Sequence, residues 1–412
     1  MFWFFVILRG AKLKILMLCS SYSLQSGHSW LTDSLAEELA LNHSVEVVFL
    51  DWSGQHKQYA FVEKNGVKIH VFSTMVGALR GRVGQVLKWF FAARLNIPNV
   101  KKCLSQSQYD LVINYSPAMV MHPIFNALKR RVKSSYLILW DFFPIYHLQL
   151  GLLPNWGAPI LKFIETKACN GYDRIGLMSQ KNLEFFKSNY KISPGVQSEI
   201  LYLWGPNDVQ VRNKQAYLEA RASEGIQDQL VCVFGGQLIK GRGIDKLIEL
   251  ALHSKTNGIN SVFYIFGDGP ERDAMLNDLK ANDVLDIVRY KGFRPREEYM
   301  RFLKGADLGF VFNSGHVSVP TFPSKAVDYF RAAVPVLAYV EDATDFGSIL
   351  EEEIRGGWSA SPKYHSKLVE SFEAAYKLSR DELFNVGCSG QKWYLEHLQV
   401  RKTSHHLTDD LI

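Results

Sequence analysis

Two stretches of the 412-residue sequence combine fixed cations with backbone that an anion can approach closely. In Gly235-Gly236-Gln237-Leu238-Ile239-Lys240-Gly241-Arg242-Gly243, glycines clear the way while Lys240 and Arg242 set positive charge at the start of a helix. In Pro323-Ser324-Lys325-Ala326-Val327-Asp328-Tyr329, Pro323 and Ser324 signal another helix start, so first-turn amides and the Lys325 ammonium are expected to converge on one anion. Asp328 follows one turn later, where a carboxylate can accept from two vicinal ribose hydroxyls. Cations and helix amides of this kind stabilise a departing diphosphate without a metal ion. Each stretch also has a plainer reading: a solvated surface loop for the first, an i,i+3 ion pair of Lys325 with Asp328 for the second.

Asp141 ends a predicted strand, Tyr136–Trp140, and can bind a substrate hydroxyl or cap the next turn. Gly27 and His28 stand at the entrance of the first helix, close enough to approach a ligand, with a solvated loop histidine as the alternative. His316 and Ser318 are read as a mobile polar loop. Lys129-Arg130-Arg131 and Lys133 suit a helix C-terminus and make no nucleic-acid signature. From Arg80 to Arg94, cations and aromatics alternate at helical spacing, which fits a helix in a membrane interface as well as a core-facing helix. No Asp-x-Asp pair occurs, so no metal is expected.

The elements that must position these residues alternate between short apolar runs and helical-period segments. Strands are expected at Lys14–Cys19, Val45–Leu50, Val67–Phe72, Leu111–Asn114, Tyr136–Trp140, Arg174–Met178 and Glu199–Leu203. Trp204-Gly205-Pro206-Asn207 reads as a linker, followed by strands at Leu230–Phe234, Val262–Phe266, Ile287–Tyr290, Leu308–Phe312 and Pro335–Val340. The expected fold is α/β: two Rossmann-like, doubly wound parallel-sheet domains, residues 1–205 and 206–385, facing a central cleft. Residues 386–412 are expected to hold a C-terminal helix returning to the first domain, with a loose tail over 404–412. Ligands of such sheets bind beyond the carboxyl ends of the strands.

Apolar residues at 47% and charged residues at 21% exclude a disordered or fibrous chain. Residues 1–205 carry 22 Lys+Arg against 12 Asp+Glu, leaving the rest acidic, so the first half suits an anionic lipid or phosphorylated partner. The cysteines Cys19, Cys103, Cys169, Cys232 and Cys388 are scattered without zinc spacing, which points to a reduced, cytoplasmic setting. The opening Met1–Leu8 run is too short to span a bilayer.

The ordered series of the Gly-rich loop with Lys240, Val262–Pro270, Lys291-Gly292-Phe293, Ala306-Asp307 and Pro323–Pro335 resembles the retaining glycosyltransferases of family 4. The likeness is greatest to those that build bacterial surface polysaccharides, O-antigen or capsule, with aminosugar donors, and it runs from Lys14 to about Trp393. It implies the GT-B arrangement and a metal-independent transfer, with retention, from a nucleotide diphosphate sugar, probed first as a uridine diphosphate sugar, to a glycan or lipid-linked acceptor. The nucleotide sugar is a co-substrate and no further cofactor is implied.

By that resemblance Gly236, Gln237, Lys240, Arg242 and Gly267 hold the diphosphate, with Ser324 and Lys325 opposite. Phe293 and Arg294 lie by the base, and Asp328 binds ribose. Asp141, Lys240 and Lys325 would serve the chemistry, and a leaving phosphate oxygen would act as base. The family's first motif glutamate falls at Pro320, and the residue before Asp141, often His or Arg, is Trp140. Lipid-linked acceptors imply contact with the cytoplasmic face of the inner membrane. Two rivals remain: a nucleotide-sugar epimerase of the same fold, and a catalytically silent nucleotide-sugar-binding partner. A nicotinamide enzyme is disfavoured by the absence of a clean G-x-G-x-x-G.

Overall fold

The structure is a computed structural model that describes residues 12–25, 31–52, 59–73, 84, 86–210, 212–313 and 317–411. Strands β1 (Lys14–Cys19), β2 (Ser44–Asp51), β3 (Ala60–Lys64), β4 (Val67–Ser73), β5 (Tyr109–Tyr115), β6 (Val132–Leu139), β7 (Arg174–Leu177) and β8 (Gln197–Ile200) form one sheet, ordered 3-4-2-1-5-6-7-8. All its pairings are parallel except β3 with β4. That hairpin turns at Asn65-Gly66, both in the left-handed region, as a two-residue turn between twisted strands requires.

The second sheet is wholly parallel: β9 (Leu230–Gly235), β10 (Ser261–Phe266), β11 (Val288–Gly292), β12 (Leu308–Phe312), β13 (Val336–Tyr339) and β14 (Gly357–Ala360), ordered 11-10-9-12-13-14. β9, β10, β12 and β13 are buried along their whole length, because helices cover both faces of a parallel sheet.

In the first domain α1 (Leu31–Ala40) covers one face, while α2 (Ala93–Cys103), α3 (Ala118–Leu128), α5 (Ala158–Cys169) and α6 (Gln180–Asn189) cover the other. The short α4 (Ile145–Gln149) leads from β6 towards α5. In the second, α8 (Ile244–Thr256), α9 (Arg272–Ala281) and α12 (Lys367–Lys377) face α10 (Arg296–Leu303), α11 (Lys325–Arg331) and α13 (Arg380–Trp393) across the sheet. The expected pair of Rossmann-like domains is therefore present.

α7 (Lys214–Ala222) is tied down through a buried ion pair, Arg221 Nη1 to Asp307 Oδ2 at 2.9 Å. Asp307 also accepts from Tyr217 Oη at 2.9 Å and the Val231 amide at 2.8 Å. Its place in the sequence series thus reflects architecture: it joins α7 to the start of β9.

The 204–207 segment is no loose linker. Trp204 is fully buried, and Gly205 exchanges backbone hydrogen bonds with Leu398 and Val400 at 2.7 and 2.9 Å. Beyond it α14 (Val400–Thr408) lies on α1, burying Val400 and Leu407. The expectation of a loose tail over 404–412 is corrected for residues 404–408, because Ser404, Leu407 and Thr408 line the buried face of that helix.

Both sheets reverse strand order at one point, between β1 and β5 in the first and between β9 and β12 in the second. Crossovers run off to opposite sides there and leave a crevice at the strand ends. The loop after β9 is the Gly235–Gly243 stretch.

Candidate functional site

The β9 loop keeps its shape through glycines at positions where a side chain would be strained or would clash. Gly236 has φ +143°, and a Cβ on it would sit 2.7 Å from Lys325 Cε. Gly267, after β10, has φ +130°, and a Cβ there would come within 1.8 Å of the Gly236 carbonyl oxygen. The two loops are fastened by Gly236 N–H donating to Phe266 O at 3.0 Å and Leu238 N–H to Asp268 O at 3.0 Å. Gly267 therefore secures loop-on-loop packing.

Lys325 lies along the floor this makes. Its Nζ sits 3.9 Å from the centroid of the Phe234 ring and is buried without a hydrogen-bond partner among the described residues. Burial holds its pKa well below the ordinary lysine value, with the Arg242 charge acting in the same direction. A buried ammonium without a counter-charge is costly, and an anion in the crevice would relieve it. The ion pair with Asp328 does not form. Asp328 Oδ1 instead meets Arg296 Nη2 at 2.5 Å.

The helix start at Ser324 is weaker than its residue types suggest. Ser324 adopts helical angles and its side chain makes no cap hydrogen bond. The Ala326 and Val327 amides are already used by Pro323 O and Ser324 O, both at 3.2 Å, and α11 has seven residues. The expected convergence of first-turn amides is thus corrected: Lys325 contributes its side chain, while two of the amides close the turn.

Beneath the loop is a polar network that sequence reasoning missed. Tyr329 Oη donates to Val233 O at 3.0 Å and accepts from Gly235 N–H at 3.1 Å. A Cβ on Gly235 would strike the Tyr299 hydroxyl at 2.2 Å. Tyr299 and Tyr329 read as aromatic core residues, and only their hydroxyls betray the second role.

The other predicted positions divide clearly. Gln237 and Lys240 are exposed on the loop, and Arg242 is half-buried facing Asp141, Tyr146 and Lys325, whose pKa values it perturbs. Phe293 is 62% exposed beyond β11, and Arg294 stands 3.9 Å from Glu298. Gly27, His28 and His316 lie outside the described residues.

Asp141 is exposed just beyond β6, where its amide donates to Ser116 Oγ at 3.2 Å. Desolvation by the surrounding protein raises its pKa, and the charges of His147 and Arg242 oppose that rise. His147 and Tyr146, on α4, went unnoticed in the sequence. Burial lowers the His147 pKa and raises that of Tyr146. Trp140 turns away, packing on Tyr115 and Trp204 with ring centroids 5.0 and 5.5 Å apart.

Across the cleft, the Pro320 carbonyl accepts from Asn182 Nδ2 at 2.7 Å, so the position of the missing carboxylate serves as a contact between domains. Ser318 is not in a free loop: its amide donates to Gln149 Oε1 at 2.9 Å, and its hydroxyl accepts from Gln149 Nε2 at 2.6 Å. Asp345 accepts from Ser179 Oγ at 2.6 Å and from the Lys181 amide at 2.9 Å. Glu341, also missed, is buried and holds both ends of the 313–321 segment, accepting from Asn313 Nδ2 at 3.1 Å and the Thr321 amide at 2.8 Å. Burial raises its pKa.

The Arg80–Arg94 stretch, read as either a membrane-interface or a core-facing helix, is described only in part, and Phe91 within it is exposed. Residues 74–83 and 85 lie outside the described residues, and Trp89 is buried against Phe143, with ring centroids 4.9 Å apart. Among the described residues no helix is long and apolar enough to cross a membrane.

With two such domains meeting at a crevice, the fold is that of the GT-B glycosyltransferases. Residues 217–383, which hold all of the second sheet, match the family model described as glycosyl transferases group 1. Sucrose-phosphate synthase from Thermosynechococcus elongatus superposes with a TM-score of 0.75 at 13% identity, over 97% of this chain and 99% of that one. Anabaena HepE, solved with UDP-glucose, gives 0.69 at 13% identity over the same shares. A glycosyltransferase from Rickettsia africae gives 0.69 at 12% identity, again covering 97% and 99%. A search of curated proteins finds no match.

Proposed function

We propose that this protein transfers a sugar from a nucleotide diphosphate sugar, with uridine diphosphate as the nucleotide. The observation that carries this reading is the buried, unpartnered Lys325 Nζ against a glycine loop, facing Arg242. The Lys325 and Arg242 charges act on one another, and Lys240 adds an exposed cation on the same loop, so the three would meet a diphosphate together. HepE, of the same fold, was solved with UDP-glucose. The Asp328–Arg296 pair is the proposed ribose contact, with Phe293 and Arg294 at the base.

In the proposed reaction the bond between the anomeric carbon and the diphosphate oxygen breaks, its electron pair leaving with the diphosphate. Lys325, Arg242 and Lys240 stabilise that charge. The acceptor oxygen attacks from the same face, its proton passes to a leaving phosphate oxygen, and configuration is retained. Asp141 holds a hydroxyl of the sugar or acceptor. The family 4 assignment, an aminosugar donor, a polysaccharide acceptor and metal-independent action in a reducing compartment belong to this proposal. So does a division into domains at about residue 205, with residues 386–412 bracing the first domain.

A thermal-shift panel of nucleotides and nucleotide sugars tests donor binding, since a bound ligand stabilises by an amount that grows with its concentration relative to Kd. Stabilisation by uridine diphosphate sugars supports the proposal, and no response to any nucleotide removes it. Retention is tested by NMR assignment of the product anomer, where inversion would refute it. The Pro320 contact with Asn182 favours a second reading, a nucleotide-sugar-binding partner without transfer activity. Binding without transfer to any lipid extract would select it.

A further inference from the structure

The solvent face of α5 and the turn before it is apolar where a surface helix should be polar. Trp156 is 83% exposed, Phe163 69%, Ile160 61% and Leu152 48%. Trp156, Ile160 and Phe163 recur at i, i+4 and i+7, so they share one face, and Leu152 precedes them by one more turn length. An isolated exposed apolar residue needs no explanation, whereas a contiguous aromatic stripe marks a contact surface.

What surrounds the stripe identifies the contact. Beside Phe163 a groove of about 580 Å³ is lined by Lys162, Lys167 and Lys191 together with Thr166, Asn170 and Asn189. The only carboxylate on α5, Glu165, points inward, where it accepts from the Ala118 and Met119 amides at 2.7 and 2.9 Å. The exposed face of the helix thus carries cations alone. Large apolar side chains beside a lysine-lined groove match a lipid surface with anionic headgroups: rings enter the acyl boundary while ammonium groups meet phosphate.

We propose that this face docks the protein on a bilayer containing anionic lipid. Its place in the fold adds a consequence that rests on the transferase reading. Leu152 follows three residues after Gln149, which bridges the cleft to Ser318. A membrane held against the stripe lies beside the cleft mouth, where a lipid-linked acceptor would enter past Asp141.

Co-sedimentation of the full chain with phosphatidylcholine vesicles, with and without phosphatidylglycerol, tests the docking. Binding is expected only when phosphatidylglycerol is present. Trp156→Ser with Phe163→Ser is expected to lower the bound fraction about tenfold or more, and Lys167→Gln with Lys191→Gln several-fold, with Tm and UDP affinity unchanged. The proposal is overturned by no binding, by equal binding to both vesicle types, or by full binding in the serine variant. Full binding lost only when Phe2, Trp3, Phe4 and Phe5 are replaced would assign the contact to the first residues instead. A serine variant that converts a dimer to a monomer would show that a second copy covers the face. Failure of the wild type to bind UDP would sink the donor reading without touching sedimentation.

Discussion

Lys325 Nζ stands 3.9 Å above the Phe234 ring and makes no hydrogen bond among the described residues. A cation there has the face of an aromatic ring below it and a second cation, Arg242, near it. Burial first, and then the Arg242 charge, hold the Lys325 pKa down in spite of the ring's attraction for a cation, and a bound anion would restore it.

Binding of UDP is therefore expected to take up a proton. In the free protein the Lys325 pKa is depressed, and the diphosphate raises it, so the complex holds more protons than its parts across the interval between the two values. UDP affinity then falls as pH rises through that interval. Calorimetric titration in two buffers of different ionisation enthalpy, repeated across pH, checks this, and a net proton uptake within that interval is predicted. No uptake would mean that Lys325 does not meet the phosphates.

Gly236→Ala is expected to damage the site through backbone and side chain together. Alanine at φ +143° is strained on the order of 1–3 kcal/mol, and its methyl would push Lys325 Cε aside from 2.7 Å. UDP affinity should fall along with Tm. A variant with wild-type values for both would show that the loop is not held as described.

Glu165 predicts a pH dependence away from the cleft. Burial raises its pKa from 4.5 to about 7, although the Ala118 and Met119 amides oppose this. The folded state then keeps a proton that the unfolded state has released, so this group's contribution to stability is greatest below about pH 4.5 and declines towards about pH 7. The loss attributable to this group is on the order of 3 kcal/mol. Denaturant titrations of Glu165→Gln should be flatter over that range than those of the wild type. Parallel curves would contradict the assignment.

Much of the architecture was legible because buried parallel strands write themselves as continuous apolar runs. β1 and β12 begin and end where the residue pattern places them. β3 was overlooked, although Asn65-Gly66 between two alternating runs is a hairpin signal. In the site, glycines and cations were visible as residue types, and their partners were not. Pairing of Asp328 with Arg296, 32 positions away, depends on how α10 packs beside α11. Likewise Glu341, His147 and the two tyrosine hydroxyls find their partners through tertiary packing, which no local spacing reports. The lost helix cap at Ser324 has the same origin, since the turn is closed by the Pro323 carbonyl.

The account rests on Lys325 being an anion site held ready in the free protein, and titration of UDP into wild type and Lys325→Met, with Tm measured on both, tests it most directly. Replacing a buried unpaired ammonium by an apolar chain of similar shape should leave Tm unchanged or raised, while losing a charge-assisted contact should weaken UDP about tenfold or more. Equal UDP affinity in the two proteins, or no binding by either, would contradict it.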